Sequence, residues 1–190
     1  MVLVDVMGHG VAAKFFAHAH AGYIGGLLHS RPETWEPANL CRAISRRVFE
    51  DKLNQYSLLT CVAVRLRSAG WVEIACAGHP APLLVDAAGA HQLDIGGALP
   101  GLQLAPVYDT LSLQLQAGER LLLFTDGLFD GATTGPGRQA LEQDLLAAAG
   151  AGLGAPLADL ADALMGTFFA AAGDMPRDDA TIVILEPAAP

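Results

Sequence analysis

The sequence has few charged residues, and basic residues are the scarcest of them. Charged side chains make up 16% of its 190 residues, and 11 Lys and Arg stand against 20 Asp and Glu, giving a net charge of −9. Nucleic acid is excluded as an expected partner, because phosphate contacts need clustered Lys and Arg. The low charge does not indicate disorder, since hydrophobic residues make up 52% of the chain and are sufficient for a substantial core.

Cysteine is also scarce, and no long apolar run is present. The three cysteines, Cys41, Cys61 and Cys76, are not closely paired, which favours free buried thiols in a reducing compartment over a disulfide framework or a zinc motif. No stretch of about 18 residues is apolar without a polar break, and the N-terminus lacks the basic region of a secretory signal. The sequence therefore predicts a cytoplasmic protein without a membrane segment.

The apolar segments predict helices at both ends of a run of strands. Residues 2–6 form a short apolar strand, and a Gly-rich turn leads into a helix at 11–29. That helix is apolar on nearly every side, which predicts burial between two layers. A second helix follows, with Asn39 as its N-cap.

Hairpin-connected strands occupy the centre of the sequence. Strands are predicted at residues 58–67, 71–77, 83–85, 91–95, 111–116 and 120–125, and after them come helices at 139–149 and 157–171 and a last strand at 181–185. Strict alternation of strand and helix is absent, so the pattern predicts an α+β domain with an antiparallel sheet. The length predicts a single domain spanning residues 1–190.

Several aspartates lie at the ends of strands that should be buried. Asp5 follows the first apolar run, Asp126 follows the strand at 120–125, and Asp178 and Asp179 precede the last strand. A carboxylate at such a position needs solvent, a backbone cap or a cation. Asp5 and Asp126 have no basic neighbour in the sequence, and oxygen ligands of this kind suit Mg²⁺ or Mn²⁺. Taken singly, each aspartate is also compatible with a turn or cap role.

Four motifs in order resemble the SpoIIE-like phosphatases of the metal-dependent protein phosphatase (PPM) superfamily. They are Asp5-Val6-Met7-Gly8-His9-Gly10, Ala77-Gly78-His79-Pro80-Ala81-Pro82-Leu83-Leu84, Thr125-Asp126-Gly127 and Arg177-Asp178-Asp179-Ala180-Thr181. The resemblance covers essentially the whole chain. It implies a four-layer α-β-β-α sandwich of two antiparallel sheets, with two Mn²⁺ or Mg²⁺ ions bound at one edge.

The resemblance also implies a role for individual residues. Asp5 corresponds to the carboxylate that bridges both metal ions, and Val6 to the neighbour that offers a backbone carbonyl. Asp126 and Asp178 correspond to further ligands, while Asp179 and Asp130 correspond to acidic positions beside the site. Two divalent ions about 3.5–4 Å apart lower the pKa of a bound water, which then attacks phosphorus.

Two histidines are candidates for the acid that protonates the leaving serine or threonine oxygen. Histidine titrates in the required range, and His9 is the preferred catalytic candidate. An equally acceptable interpretation is that His9 donates hydrogen bonds that shape the turn between Gly8 and Gly10. For His79 a structural role is favoured, because Pro80 and Pro82 place it in a rigid turn.

The sequence differs from the family pattern before its first motif. Family members have a Gly-Asp-containing strand and turn upstream of the position of Asp5, which supplies another carboxylate. We therefore expect an N-terminally truncated domain, with an open sheet edge and a weaker metal site. By the same resemblance, an upstream sensor or receiver domain is expected outside this chain.

The leading hypothesis is a metal-dependent protein serine/threonine phosphatase. Its expected substrate is a phosphorylated bacterial regulatory protein, such as an anti-sigma-factor antagonist. The alternative is a catalytically silent, phosphatase-like interaction module in signalling. Another kind of metal hydrolase is disfavoured, because the sequence has neither a His-rich ligand set nor a serine nucleophile elbow.

Overall fold

The computed structural model describes residues 1–8, 10–30, 35–51, 58–129, 135–172 and 179–187. The described strands are β1 (Val2–Val6), β2 (Leu59–Leu66), β3 (Trp71–Ala77), β4 (Leu83–Asp86), β5 (Gly89–Gln92), β6 (Leu111–Gln114), β7 (Arg120–Phe124) and β8 (Ile182–Leu185). The described α-helices are α1 (Gly10–Ser30), α2 (Pro37–Glu50), α3 (Gly135–Ala151) and α4 (Leu157–Ala172). Every predicted strand and helix is found, with its ends shifted by a few residues.

The chain divides into two compact units, each with its own sheet. The first unit comprises Met1–His79 and Ile95–Leu113, and the second comprises Pro80–Asp94 and Gln114–Pro190. The sheet formed by β1, β2, β3 and β6 has that strand order, and β1 lies at its edge. The other sheet has the order β5-β4-β7-β8, and all its neighbouring pairs are antiparallel.

The core of the first unit lies between one face of its sheet and the helices α1 and α2. Strand alternation directs one set of side chains to this face, and the helix α2 contributes an apolar stripe with helical spacing. The buried members of this core include Leu40, Ile44, Val48, Leu59, Cys61, Ala63 and Ala75. Val4 and Val6 of β1 pack against them, which places Asp5 on the opposite face of the sheet.

The start of α2 differs from its prediction. The helix begins at Pro37 with Glu36 at the N-cap position, so the predicted cap at Asn39 is wrong. Proline is favoured in the first helical turn, because its fixed φ suits the helix and its missing N–H has no partner there in any case. The Asn39 side chain instead contacts Glu36, donating from Nδ2 to Oε2 over 3.4 Å.

The helix α1 is less buried than its sequence predicts. His20 and Ile24 are its buried residues, whereas Val11 is 87% exposed and Phe15 is 67% exposed. Small residues leave a cleft of about 370 Å³ between this helix and β1, lined by Val2, Val4, Val6, Ala17, Ala21, Ile24, Gly25 and Leu28. The prediction that α1 is buried on both sides is therefore wrong, because an all-round apolar composition does not reveal which faces find a partner.

The core of the second unit forms where α3 and α4 pack on its sheet. All five residues of β7 are buried, as expected for a strand without a polar face. The apolar side chains of this core include Val85, Leu122, Phe124, Leu141, Leu145, Leu160, Leu164 and Phe168. Arg120 at the start of β7 is buried too, and its guanidinium donates to the carbonyl oxygens of Gly152 and Ala155 beyond α3.

The predicted fold class is confirmed. The chain is an α+β protein with two four-stranded sheets flanked by helices. Among the described helices, none has both the length and the apolar character needed to cross a membrane. That residues 1–190 act as a single domain stays a prediction.

Candidate metal centre

Asp5 lies near the end of the edge strand β1, on the face opposite the helices. Its Oδ2 atom is shielded from solvent, although the residue as a whole is half-buried. Asp5 pairs with Thr60 of β2, so the two side chains project from the same face of the sheet. The carboxylate is therefore held on a rigid element close to a hydroxyl group.

The carbonyl of Val6 points away from the β1–β2 ladder. Met1 and Val64 exchange two backbone hydrogen bonds, and Met7 N donates to Leu58 O over 2.8 Å, so odd-numbered residues of β1 occupy the hydrogen-bonded positions. Antiparallel pairing turns the carbonyls of the alternate residues outward, here away from β2, to the side on which the described strands place no further neighbour of β1. The backbone oxygen of Val6 therefore points away from β2, and its role as a metal ligand stays a prediction.

The side chain of His79 contacts that of Thr60 within the first unit. Its Nδ1 is 2.8 Å from the Thr60 Oγ1, and its side chain is buried. The turn that places it depends on Gly78, which has a φ of +64°, and a Cβ on Gly78 would lie 2.7 Å from Leu99 Cδ1. The Ala77-Gly78-His79-Pro80 motif thus builds a close-packed turn that anchors His79 against the neighbour of Asp5.

Asp126 belongs to the second unit and follows the buried strand β7. It begins a short 3₁₀ turn, Asp126–Phe129, and its own side chain is exposed while Gly127, Leu128 and Phe129 are buried. Among the described residues, no Lys or Arg forms an ion pair with Asp126. An exposed carboxylate without a cationic side-chain partner is free to bind a hard cation.

Thr125 connects Asp126 to the segment that precedes β8. The Thr125 hydroxyl accepts a hydrogen bond from Thr181 N over 3.0 Å and donates to Asp179 O over 3.4 Å. The backbone N–H of Thr125 donates to Thr181 O over 3.1 Å. The structure therefore brings together the third and fourth sequence motifs.

Gly127 packs directly against the backbone of the fourth motif. A Cβ at this position would lie 2.2 Å from the carbonyl oxygen of Asp179, which is far below any normal contact. Glycine is needed here for space, because the backbones of the two segments touch. In the Asp126-Gly127 pair, the glycine therefore allows close backbone packing in addition to forming a turn.

Three of the predicted residues lie outside the described part of the chain. His9, the catalytic candidate, is one of them, and the others are the metal ligand Asp178 and the acidic residue Asp130. Within the described ranges, no three His, Cys, Asp or Glu side chains converge as a metal-binding group. Asp5, Val6 and Asp126 offer only oxygen atoms, and this donor chemistry fits Mg²⁺ or Mn²⁺.

Three residues whose role was not predicted lie beside the candidates. Thr60, Thr125 and Gly127 are not ligand candidates, yet each one contacts or adjoins a candidate. For Thr125 and Gly127 the sequence offered a hydroxyl or small residue beside an aspartate, which alone is common in turns, and for Thr60 it offered no such signal. Only tertiary contacts show what these residues touch.

The fold of this chain is similar to that of solved PP2C-type serine/threonine phosphatase domains. The SiaA-PP2C domain of Pseudomonas aeruginosa matches with a TM-score of 0.78 and 22% identity over 97% of this chain and 74% of that one. The PP2C phosphatase domain of SpoIIE from Bacillus subtilis, solved with a fragment of its regulatory domain, matches with a TM-score of 0.70 and 18% identity over 96% of this chain and 52% of that one.

A serine/threonine phosphatase of Mycobacterium tuberculosis, PstP/Ppp, matches with a TM-score of 0.61 and 18% identity over 98% of this chain and 88% of that one. The family model described as Stage II sporulation protein E (SpoIIE) matches residues 1–187, so the chain belongs to the SpoIIE family. No match is found among curated proteins. Family and fold together confirm the predicted resemblance and the predicted enzyme class, a phosphatase.

Proposed function

We propose that this chain is a metal-dependent phosphatase for phosphoserine and phosphothreonine in a bacterial regulatory protein, such as an anti-sigma-factor antagonist. The observation that carries the proposal is the exposed Asp126 carboxylate, fixed at the end of a buried strand and locked to the Asp179 segment by Thr125. Membership of the SpoIIE family supports this function for that site. The same proposal treats residues 1–190 as one cytoplasmic phosphatase domain.

Asp5, Val6, Asp126 and Asp178 are the proposed metal ligands. Two divalent ions, Mn²⁺ or Mg²⁺, supply a water of lowered pKa as the nucleophile and neutralise charge on the phosphoryl oxygens. The strand β1 holds Asp5, and hydrogen bonds to Thr181 and Asp179 hold Thr125, the residue before Asp126, so the backbone at both positions is in place before the cation binds. Because the ligands are oxygen atoms, we expect Mn²⁺ or Mg²⁺ to support activity better than softer cations do.

His9 is the proposed general acid in this reaction. It follows Asp5 by four residues, and an imidazolium can give its proton to the leaving serine or threonine oxygen. A general acid contributes roughly 10²–10⁴-fold to a rate, so His9→Gln should lower kcat by that factor. A structural role in the Gly8-Gly10 turn would instead lower the thermal stability of His9→Gln and leave kcat of the folded fraction near wild type.

The test of the proposed function is hydrolysis of a phosphothreonine peptide in the presence of Mn²⁺. The wild-type chain should release phosphate, and Asp126→Ala should reduce this activity to background, because one carboxylate ligand is lost. The matched control is Asp144→Ala, which removes an exposed carboxylate from α3 and should leave activity unchanged.

Two results would contradict the proposal. Mn²⁺-dependent hydrolysis that survives Asp126→Ala would show that the site lies elsewhere. A folded wild-type chain that binds a phosphorylated regulator without releasing phosphate would instead favour the silent interaction module.

A further inference from the structure

Thr125 is a buried hydroxyl residue directly before the proposed metal ligand Asp126, and its side chain is 4% exposed. We propose that the Thr125 hydroxyl is the positioning group that fixes Asp126 relative to residues 179–181 and thereby sets the affinity of this part of the site for Mn²⁺. The inference rests on the proposed function, in which Asp126 and Asp178 bind the metal. It assigns Thr125 no contact with substrate or metal.

The hydrogen bonds of Thr125 all run to one short segment. Its hydroxyl accepts from Thr181 N at 3.0 Å and donates to Asp179 O at 3.4 Å, and its backbone N–H donates to Thr181 O at 3.1 Å. The pairing of β7 with β8 ends one residue earlier, at Phe124 and Ile182. The hydroxyl therefore extends the attachment between the two chains beyond the last strand pair, up to the residue that adjoins Asp126.

The chain is restrained on the other side of Asp126 as well. Leu128 N donates to Thr125 O over 3.3 Å, which closes the 3₁₀ turn around Asp126. Gly127 contacts the backbone of Asp179 so closely that any Cβ would collide with its carbonyl oxygen. With both neighbours fixed, the backbone of Asp126 has little freedom, and its carboxylate starts from a defined position.

The attachment uses both functions of a hydroxyl group. One oxygen accepts from an N–H and donates to a carbonyl, which serine can reproduce and valine cannot. The same hydroxyl thereby holds the backbone next to Asp126 against residues 179–181. Loss of the hydroxyl should therefore disturb the placement of Asp126, not only the stability of the sheet.

The test is calorimetric titration of Mn²⁺ into the full chain and five variants. Residues that orient metal ligands typically change metal affinity by about 10–100-fold when they are mutated, and we expect Thr125→Val to raise the Mn²⁺ Kd by that factor. Thr125→Ser should remain close to wild type. The matched control is Thr167→Val, which removes a hydroxyl that donates to Ala163 O within α4 and should not change the Kd.

The last two variants, Asp126→Asn alone and combined with Thr125→Val, separate positioning from a general loss of structure. In the Asp126→Asn background, where the ligand is already weakened, adding Thr125→Val should raise the Kd far less than it does in the wild type, because both changes act on the same ligand. The KM for the phosphopeptide should stay unchanged in Thr125→Val, while the Mn²⁺ concentration needed for half-maximal activity rises.

Three results would overturn the inference. These are an unchanged Kd in a folded Thr125→Val, a fully additive increase in the double variant, and a Thr125→Ser variant as weak as Thr125→Val. The Thr125→Ser titration decides the matter if Thr125→Val does not fold. In each of these cases a wild-type chain that binds Mn²⁺ and hydrolyses the peptide keeps its proposed function, whereas a wild type that binds no Mn²⁺ overturns both proposals.

Discussion

At the scale of single residues, the contact of Gly127 with Asp179 leads to a sharp stability prediction. Gly127→Ala places a methyl group 2.2 Å from a backbone oxygen, so the two segments must separate. Overpacking of this kind costs about 1–3 kcal/mol, and we expect the free energy of unfolding to fall by that amount.

The control for this prediction is another glycine of the same unit. Gly166 lies within α4, and a Cβ there would meet nothing within 4 Å. Gly166→Ala should stabilise the protein by about 0.5–1 kcal/mol, because alanine loses less backbone entropy in a helix. Urea unfolding of both variants measures the difference, and equal effects would show that the close contact at Gly127 is not rigid.

A second residue-scale prediction concerns the buried thiols. Burial, and to a lesser degree the neighbouring Cys41, raise the pKa of the Cys76 thiol to about 12, and the pKa of Cys61 is raised as well. An unfolded thiol has a pKa of about 8.5, so the native state holds its proton to a higher pH. Stability from this source is complete below pH about 8.5 and is lost as the pH rises towards about 12, since only the unfolded state releases the proton there.

The measurement is urea unfolding between pH 7 and pH 10 in the presence of a reductant. One thiol contributes a slope of at most about 1.4 kcal/mol per pH unit, and Cys76→Ala should decline less steeply by up to this amount. In the native state at pH 8 the thiols of Cys61 and Cys76 should react slowly with a disulfide reagent, because they are buried and protonated. Parallel pH profiles for the two proteins would contradict the assignment.

Residue types at strand ends were predictable from the sequence, whereas their contacts were not. Asp5 and Asp126 stand out because an acidic residue follows an apolar run, and that signal is local. The bond from Thr125 to Asp179 joins residues 54 positions apart, and nothing in the local pattern of either segment encodes it. Local sequence therefore identifies candidate ligands but not the residues that hold them.

At the scale of elements, helix extent was easier to predict than helix environment. The span of α1 follows from its helix-compatible residues between a Gly-rich turn and Ser30. Its burial depends on which neighbouring layers are present, and Val11 and Phe15 remain exposed. For α2 the environment was easier to predict than the extent. Its apolar stripe already predicts the face that packs on β2 and β3, whereas its N-cap was predicted at the wrong residue.

An element-scale prediction concerns Arg120, whose side chain joins β7 to the loop after α3 and to Glu186 after β8. Its Nη1 donates to Gly152 O over 2.8 Å, its Nη2 donates to Ala155 O, and its Nε lies 3.1 Å from Glu186 Oε2. Arg120→Met keeps most of the buried stem and removes the donors. Two carbonyls then lose their partners, so we expect a loss of about 2–4 kcal/mol in the free energy of unfolding.

The control for Arg120 is an arginine whose ion pair is exposed. Arg46 pairs with Glu50 over 2.7 Å on the surface of α2, and solvent screens the pair. Arg46→Met should leave the free energy of unfolding close to wild type. If Arg120→Met proved equally mild in urea unfolding, the bonds that join β7 to the loop after α3 would contribute little.

At the scale of the whole molecule, fold class was predictable and strand order was not. Helices at both ends of a run of hairpins predict an α+β protein, and the hairpins β2–β3 and β4–β5 form as expected from their turns. The sequence neighbours β6 and β7, however, belong to different sheets, with β6 beside β3 and β7 between β4 and β8. Such pairing is decided by which strands bury the most surface together, a property of the assembled chain.

The last prediction concerns metal removal. A ligand that binds only the native state stabilises it by mass action, by about 2.7 kcal/mol at a free concentration of 100 times its Kd. For a chain of this length, that corresponds to a rise of roughly 5–10 °C in Tm. Thermal unfolding of the wild-type chain should therefore shift upward with Mn²⁺ and return to its starting value with EDTA.

The variants make this shift diagnostic for the proposed ligands. Asp5→Asn and Asp126→Asn should each reduce it strongly, because a hard cation that loses a carboxylate binds more weakly. Asp144→Asn, on the exposed face of α3, should keep the full shift. A shift that persists in both ligand variants would mean that Mn²⁺ binds at other carboxylates of this acidic chain, and Asp5 and Asp126 would then be strand-end residues without a metal.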